Sequence, residues 1–253
     1  MSGHSKWSTI KRAKGANDAK RGQLFTKLSR DIAIAVRQGG GGDPDMNYRL
    51  RLAVDKAKGS NMPMDTIERA ISRAAGGGDA SDDLQSSLYE GYGPGGIAII
   101  LEALTSNRNR TASEIRATFA KSGGSLGETG CVGWNFESKG VICLNVDESV
   151  AEEIAMAAIE AEAEDVIVEG GYVEIYTQPE KLEAVRKSLE SQEVATDTVE
   201  ISMKPKNTVD LGAKEAEQTL RLLDNLEDLL DVQRVYSNAN FPDEVLEKYQ
   251  NEG

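Results

Sequence analysis

The stretch GVICLNVDESVAEEIAMAAIEAEAEDVIVEGGYVEIYTQPEKLEAVRKSLESQEVATDTVEISM, residues 140–203, decides the fold. Gly140–Val146 is an apolar run of strand length. Glu148–Ala161 follows, with Val150, Ile154, Ala157, Ala158 and Ala161 at helical spacing. Asp165–Glu169 and Tyr172–Thr177 read as strands joined by the Gly170-Gly171 turn. Pro179–Glu190 reads as a helix and Thr196–Met203 as a last strand. The order is βαββαβ, which is ferredoxin-like.

Working outward, Leu88–Tyr92 and Gly96–Thr105 read as strands. Thr111-x-x-Glu114 has the spacing of a capping box, opening a helix with Ala112, Ile115 and Phe119 on one side. Strand-like sequence continues through Trp134 and Phe136. On the far side, residues 210–230 form a leucine-rich helix (Leu211, Leu220, Leu223, Leu226, Leu230), and Val232–Tyr236 a short strand. That late helix and strand complete the sheet begun at 88–136 if residues 139–204 are an insertion.

The first 75 residues read differently. Asn17 or Asp18 caps a helix whose Leu24, Phe25, Leu28, Ile32, Ala35 and Val36 fill one stripe, with Lys27, Arg30 and Arg37 opposite. Gly39–Gly42 stops it and makes a hinge. Asp43-Pro44 restarts a helix, a capping carboxylate before Pro at the first position, with Leu50, Ala53, Val54 and Ala57 as its seam. Arg49, Arg51, Lys56 and Lys58 flank that seam. A third helix starts near Pro63 or Asp65, where Asp65 and Glu68 have capping-box spacing. Three short helices with one apolar stripe each must pack on one another.

The expected class is α+β. A flexible basic arm (1–16) leads into a helical basic domain (17–78). A discontinuous α/β domain (79–136 plus 207–240) encloses a ferredoxin-like α/β domain (137–206), and a C-terminal tail (241–253) ends the chain.

Charge is segregated along this plan. The 253 residues carry a net −13. Residues 1–75 hold 15 Lys and Arg against 7 Asp and Glu, a net of +8, and residues 76–253 hold 14 against 35, a net of −21. Such asymmetry marks a polyanion-binding module on an acidic body.

Several function classes lack the residues they need. The longest aliphatic run is Ile97–Leu101, far short of the roughly 20 residues a bilayer span requires. No apolar stretch at the N-terminus has the form of a secretory signal. His4 is the single histidine, and Cys131 and Cys143 stand twelve apart without a C-x-x-C. Neither a Cys/His zinc site nor a histidine-based nucleophilic mechanism can be assembled from these. Gly91-Tyr-Gly93-Pro-Gly95-Gly96 matches G-x-G-x-x-G, but a strand follows where dinucleotide binding needs a helix. Glu169–Tyr176 has a weak likeness to a base-stacking strand, without the leading cation and with acidic flanks. The carboxylates at 147–169 and 224–231 lie mostly on solvated helix faces, which disfavours an Mg²⁺ site. No catalytic residue, metal or cofactor is expected.

The candidate nucleic-acid contacts are Lys6, Trp7, Lys11, Arg12, Lys14, Lys20 and Arg21, joined by Lys27, Arg30, Arg49 and Arg51 on the helical domain. Cations there neutralise phosphates and release counterions, and Trp7 is placed to stack on a base or wedge into a groove. The alternative for Trp7 is docking onto its own helical domain. Arg108 and Arg110, in the polar segment Asn107–Arg110 before a helix N-terminus, form a second anion site.

Gly3-His4-Ser5-Lys6-Trp7, Asp18-Ala-Lys20-Arg21-Gly22, Asp43-Pro44 with Asn47-x-Arg49-Leu50-Arg51, and Asn61-Met62-Pro63 resemble the N-terminal domain of the YebC/PmpR family. Tyr89–Gly96, Asn107–Thr111 and Gly123-Gly-x-Leu-Gly127 are similar to its second domain. Gly39–Gly42 departs by one glycine. The resemblance covers essentially the whole chain. It implies three domains with the third inserted in the second, and a cytoplasmic, non-enzymatic protein. It also implies a DNA-binding transcriptional regulator, as bacterial members are usually described, or a translational activator as in mitochondrial members, or a ribosome-associated factor as some bacterial members look to be; the charge split motivates ribosomal RNA as the alternative target. No membrane and no small-molecule substrate are implied.

Overall fold

The computed structural model describes Trp7, residues 18–76 and residues 84–251. The fold is mixed α+β: three N-terminal helices, then antiparallel sheets with helices. Two compact units divide it. One is Phe136–Lys204; the other comprises the described residues of Ser2–Asn135 and Pro205–Gly253.

In the larger unit, α1 (Asp18–Gln38), α2 (Tyr48–Gly59) and α3 (Met64–Ala75) open the chain. Leu28, Ile32, Ala35 and Val36 of α1 meet Leu50, Val54 and Ala57 of α2 and Ile67 of α3 in one buried cluster. The start of α2 differs from the sequence expectation. Asp43-Pro44 forms a preceding turn, in which the Asp43 carbonyl accepts from Met46 and Asn47 N–H. The cap is Asn47, whose side-chain oxygen accepts the Leu50 N–H at 3.1 Å. Its amide also donates to the Ala35 and Gly41 carbonyls, at 2.8 and 2.9 Å. The glycine run is therefore pinned rather than an open hinge. A Cβ on Gly39 would fall 2.0 Å from the Asn47 side chain, which is why the approach needs glycine. The Asp65–Glu68 capping box does not form: α3 begins after Pro63 with no side-chain cap, and Asp65 pairs with Arg69 at 2.6 Å instead.

The same unit contains a four-stranded sheet in the order β3-β1-β2-β9, from β1 (Gln85–Tyr92), β2 (Ala98–Thr105), β3 (Ser125–Leu126) and β9 (Val232–Ser237). β1 and β2 are antiparallel, with Gln85 opposite Thr105 and Tyr92 opposite Ala98. The glycine-rich segment between them is a tight turn, with Gly95 and Gly96 at φ +72° and +76°. That is the left-handed region glycine tolerates, and a single 3-10 turn at Pro94–Gly96, not an α-helix, leads into β2. The late strand β9 pairs antiparallel with β2. Helices α4 (Arg108–Lys121), α7 (Ala213–Glu227) and α8 (Asp243–Asn251) bury Ile115, Phe119, Leu220, Leu223, Leu226, Val245 and Leu246 with the sheet's Ile99, Leu101 and Val235. Residues 241–251 are thus part of the core rather than a tail. Val245, Leu246 and Tyr249 fall on one side of the last helix and pack into the same cluster, with Phe241 buried just before it. A short parallel pair, β8 (Val209–Asp210) with β10 (Ala239–Asn240), completes this unit.

In Phe136–Lys204, the strands β4 (Phe136–Asn145), β5 (Asp165–Glu169), β6 (Tyr172–Thr177) and β7 (Thr198–Pro205) lie in the order β5-β6-β4-β7. α5 (Glu148–Glu160) and α6 (Leu182–Ser191) pack against it. Ile142, Leu144, Val173 and Ile175 are buried with Ala158, Val185 and Leu189.

Candidate nucleic-acid interface

Trp7 is 0 % exposed and lies in the core of the α/β portion, among Ile97, Leu101, Leu222, Leu223 and Val235. This overturns both sequence readings of it: the ring is neither presented to a base nor docked on the helical domain. Burying an indole removes a large apolar surface from water. Burial first, then the charge of Asp224, raises the pKa of the neighbouring Tyr249 phenol, and the Trp7 indole opposes that rise. The Tyr249 hydroxyl donates to the Asp224 carboxylate at 2.9 Å.

Lys27, Arg30 and Arg110 do come together, but on a protein group rather than on an open surface. Lys27 donates to the carbonyl of Glu227, the last residue of α7. Arg30 donates to the Leu230 carbonyl at 2.9 Å and reaches Asp231 at 3.4 Å. Arg110 donates to Asp231 at 2.6 Å. A helix C-terminus carries partial negative charge and exposed carbonyls, so cations collect there. Asp231 is only 3 % exposed. It also accepts from the hydroxyls of Thr111 at 2.8 Å and Thr105 at 3.2 Å. Burial pushes the Asp231 carboxyl up, but Arg110 and Thr111 outweigh it and hold the pKa below the ordinary carboxylate value. In return the Arg110 guanidinium is raised by its bond to Asp231.

The Thr111–Glu114 capping box is displaced by the same node. Asn107 caps α4, accepting the Arg110 N–H at 3.1 Å, so Arg108–Arg110 form the first turn of the helix rather than a loop before it. Thr111 is buried and turned to Thr105 and Asp231.

Arg51 donates to the Pro44 and Asp45 carbonyls at 3.2 and 3.0 Å and fastens the turn before α2. Arg21, Arg49 and Arg108 are exposed. Lys20 falls in the first turn of α1. Lys6, Lys11, Arg12 and Lys14, with the acidic linker, lie outside the described residues.

Two groups were not among the expected site residues. Asp231 follows a leucine-rich helix and has no local motif. Glu90 sits in β1, is buried, and accepts N–H bonds from Gly130, Val132 and Gly133 at 2.7, 2.8 and 2.7 Å. Burial raises its pKa, and those three bonds more than reverse the rise. Alternation along the strand would have placed an acid there on a solvated face.

The weaker motifs resolve simply. Tyr176 is buried with the Lys204 ammonium 3.5 Å from its ring centroid, which removes it from base stacking. Among the described residues no group of three or more His, Cys, Asp or Glu could hold a metal ion. No described helix is long and apolar enough to cross a membrane. A cavity beside α1, lined by Ala33, Ile34, Arg37, Gln38, Leu84, Ser86 and Leu104, holds a single titratable group and no acid–base pair.

A family model described as the TACO1/YebC protein N-terminal domain matches residues 5–77, and one described as the TACO1/YebC second and third domain matches residues 84–239. A protein of Dehalococcoides mccartyi named "Probable transcriptional regulatory protein" is 54 % identical over 252 residues, covering 100 % of both chains. One of the same name from Chloroflexus aggregans is 51 % identical over 98 % of this chain and 99 % of its own. The crystal structure of a conserved hypothetical protein, Aq1575 from Aquifex aeolicus, superposes with a TM-score of 0.79 at 44 % identity, over 89 % of this chain and 92 % of that one.

Proposed function

Because the chain belongs to the TACO1/YebC family, we propose that it is a non-enzymatic, nucleic-acid-binding regulator of gene expression, and in the first place a DNA-binding transcriptional regulator. The observation that supports this most is the charge division, +8 over residues 1–75 against −21 over the remainder. Phosphate contact is most favourable at the first, so a polyanion is drawn there before the remainder. The relatives' shared name agrees with that reading.

In this reading Arg21, Arg49 and Arg108, exposed to solvent, join Lys6, Lys11, Arg12, Lys14 and Lys20 on phosphates. Lys27 and Arg30 tie α1 to the end of α7 instead, and Arg110 is held by Asp231. Phe136–Lys204 is read as a ferredoxin-like domain inserted in the second domain. The protein works in the cytoplasm without cofactor or small-molecule substrate.

The test is the salt dependence of binding. Replacing Lys11, Arg12 and Lys14 by Ala removes three phosphate contacts and should lower the slope of log affinity against log salt by about 2 to 3. An unchanged slope would take the arm out of the interface. Point substitutions are required because deleting the first 16 residues would also remove Trp7 from the core.

One observation favours a second reading, a ribosome-associated translation factor on ribosomal RNA. Neither α2 nor α3 offers the polar base-reading row expected of a recognition helix. Arg51 is spent on carbonyls, Lys56 on Asp31 at 3.2 Å and Arg69 on Asp65. Recognition by backbone and shape suits structured RNA. Crosslinking in cells followed by sequencing separates the two: discrete promoter DNA supports the first, one ribosomal RNA locus the second.

A further inference from the structure

With Trp7 buried, the described residues leave two large aromatic rings exposed, Trp134 at 67 % and Tyr92 at 41 %. They share an anchor. The Trp134 indole N–H and the Tyr92 hydroxyl both donate to the Cys131 carbonyl, each at 3.0 Å. Their polar edges are therefore satisfied on one atom, and much of each side chain is left to solvent.

The backbone beneath them is fixed. Glu90 takes the N–H groups of Gly130, Val132 and Gly133, and its own carbonyl accepts from Gly127 at 2.8 Å. Asn135, next to Trp134, accepts from the Asn207 N–H at 3.0 Å and donates to the Asn207 carbonyl at 3.0 Å. An aromatic held this way loses little freedom when something lands on it.

Residues 84–135, which carry both rings, hold four Lys and Arg against four Asp and Glu and are neutral within the acidic body. The exposed Lys206 donates its backbone N–H to the Asn135 carbonyl at 2.7 Å. Lys121 ends α4 three residues before Gly124, where a Cβ would sit 2.6 Å from the Tyr92 carbonyl. Glu128 is an acid on the same loop.

We propose that Trp134 and Tyr92 form a stacking platform for unpaired bases of a single-stranded nucleic acid, with Lys206 and Lys121 placed for its phosphates. The proposal rests on the nucleic-acid-binding reading and adds a second contact to it, away from the basic N-terminus. Stacking needs only the π-face that every base has, so the platform tolerates sequence. Nucleobases of RNA and of DNA share this chemistry.

The experiment titrates the full chain with an oligoadenylate of about 12 nucleotides, as RNA and as DNA, and with duplex DNA of equal length. Binding is followed by polarisation and by tryptophan emission, to which Trp134→Phe leaves only the buried Trp7 to contribute. The expected result is quenching of the Trp134 emission by the single strands. Trp134→Ala should weaken single-strand binding about tenfold with an unchanged salt slope, since no charge is removed, and Trp134→Phe should restore most of it. The thermal midpoint of Trp134→Ala should match the wild type, because the ring is exposed. Single strands that bind the wild type and Trp134→Ala alike overturn the platform while leaving the basic-end reading intact. A wild type that binds neither single strands nor duplex overturns both. Preference for the RNA over the DNA strand would supply the source of the bases.

Discussion

Trp7 and Glu90 are the residues where sequence and structure part most. Trp7 stands among lysines with no hydrophobic period around it, and nothing local signals that its ring fills the core of a domain that begins some 80 positions later. Trp7→Ala should destabilise the protein by about 3 to 5 kcal/mol, read by denaturant unfolding, with no change in the salt slope of nucleic-acid binding. Glu90 and Asp231 make a pH prediction. Both carboxyls are held below their ordinary values in the folded state. Each then contributes stability that is fully present above the unfolded pKa of about 4 and is lost as pH falls through the lower folded value. Glu90→Gln and Asp231→Asn should each flatten the acid limb of the stability curve. Unfolding midpoints measured from pH 7 to pH 3 check this, and a limb as steep as the wild type's would mean that other carboxylates govern it. Neither acid was legible beforehand, because each is identified by partners that approach from distant parts of the chain.

The elements were more legible than their ends. Apolar periodicity located α1, α5 and α7 and the strands β5 and β6, since a stripe of side chains must be buried wherever it occurs. The caps went astray at α2, α3 and α4 because capping chemistry is abundant and only packing selects among candidates. Asn47 wins over Asp43 by reaching the Ala35 and Gly41 carbonyls at the same time. Thr111 is drawn inward by Asp231 and leaves the cap to Asn107. The tie between α1 and the end of α7 belongs to this scale. Arg30→Ala removes a charged donor from the Leu230 carbonyl and a partner from a buried acid, where a bond to a charged group contributes about 1.5 to 3 kcal/mol. Amide exchange should rise along α1 and stay unchanged in β1 and β2. Unchanged protection in α1 would show that its apolar stripe alone holds the helix.

Over the whole molecule, the βαββαβ stretch and the charge division were readable because each is a property of order and composition. The contacts of the cations were not. Coulomb attraction draws Lys27, Arg30 and Arg110 to the nearest stable negative group, and that group proved to be the protein's own helix end and Asp231. The arrangement of the larger sheet has a further consequence. Ile99 of β2 pairs with Ser237, 138 positions later, and Phe136–Lys204 is spelled out in the interval. A chain emerging at roughly 5 to 20 residues per second finishes β2 at Thr105 and reaches Val232 about 6 to 25 seconds afterwards. During that time β2 can pair with β1 but offers its other side, rich in Ile and Leu, to whatever strand arrives first. The unit Phe136–Lys204 meanwhile has all four strands of its own sheet. The vulnerable stage in this protein's life is therefore its manufacture, and crowding of half-made copies on one message is the circumstance in which two of them are most apt to zip together.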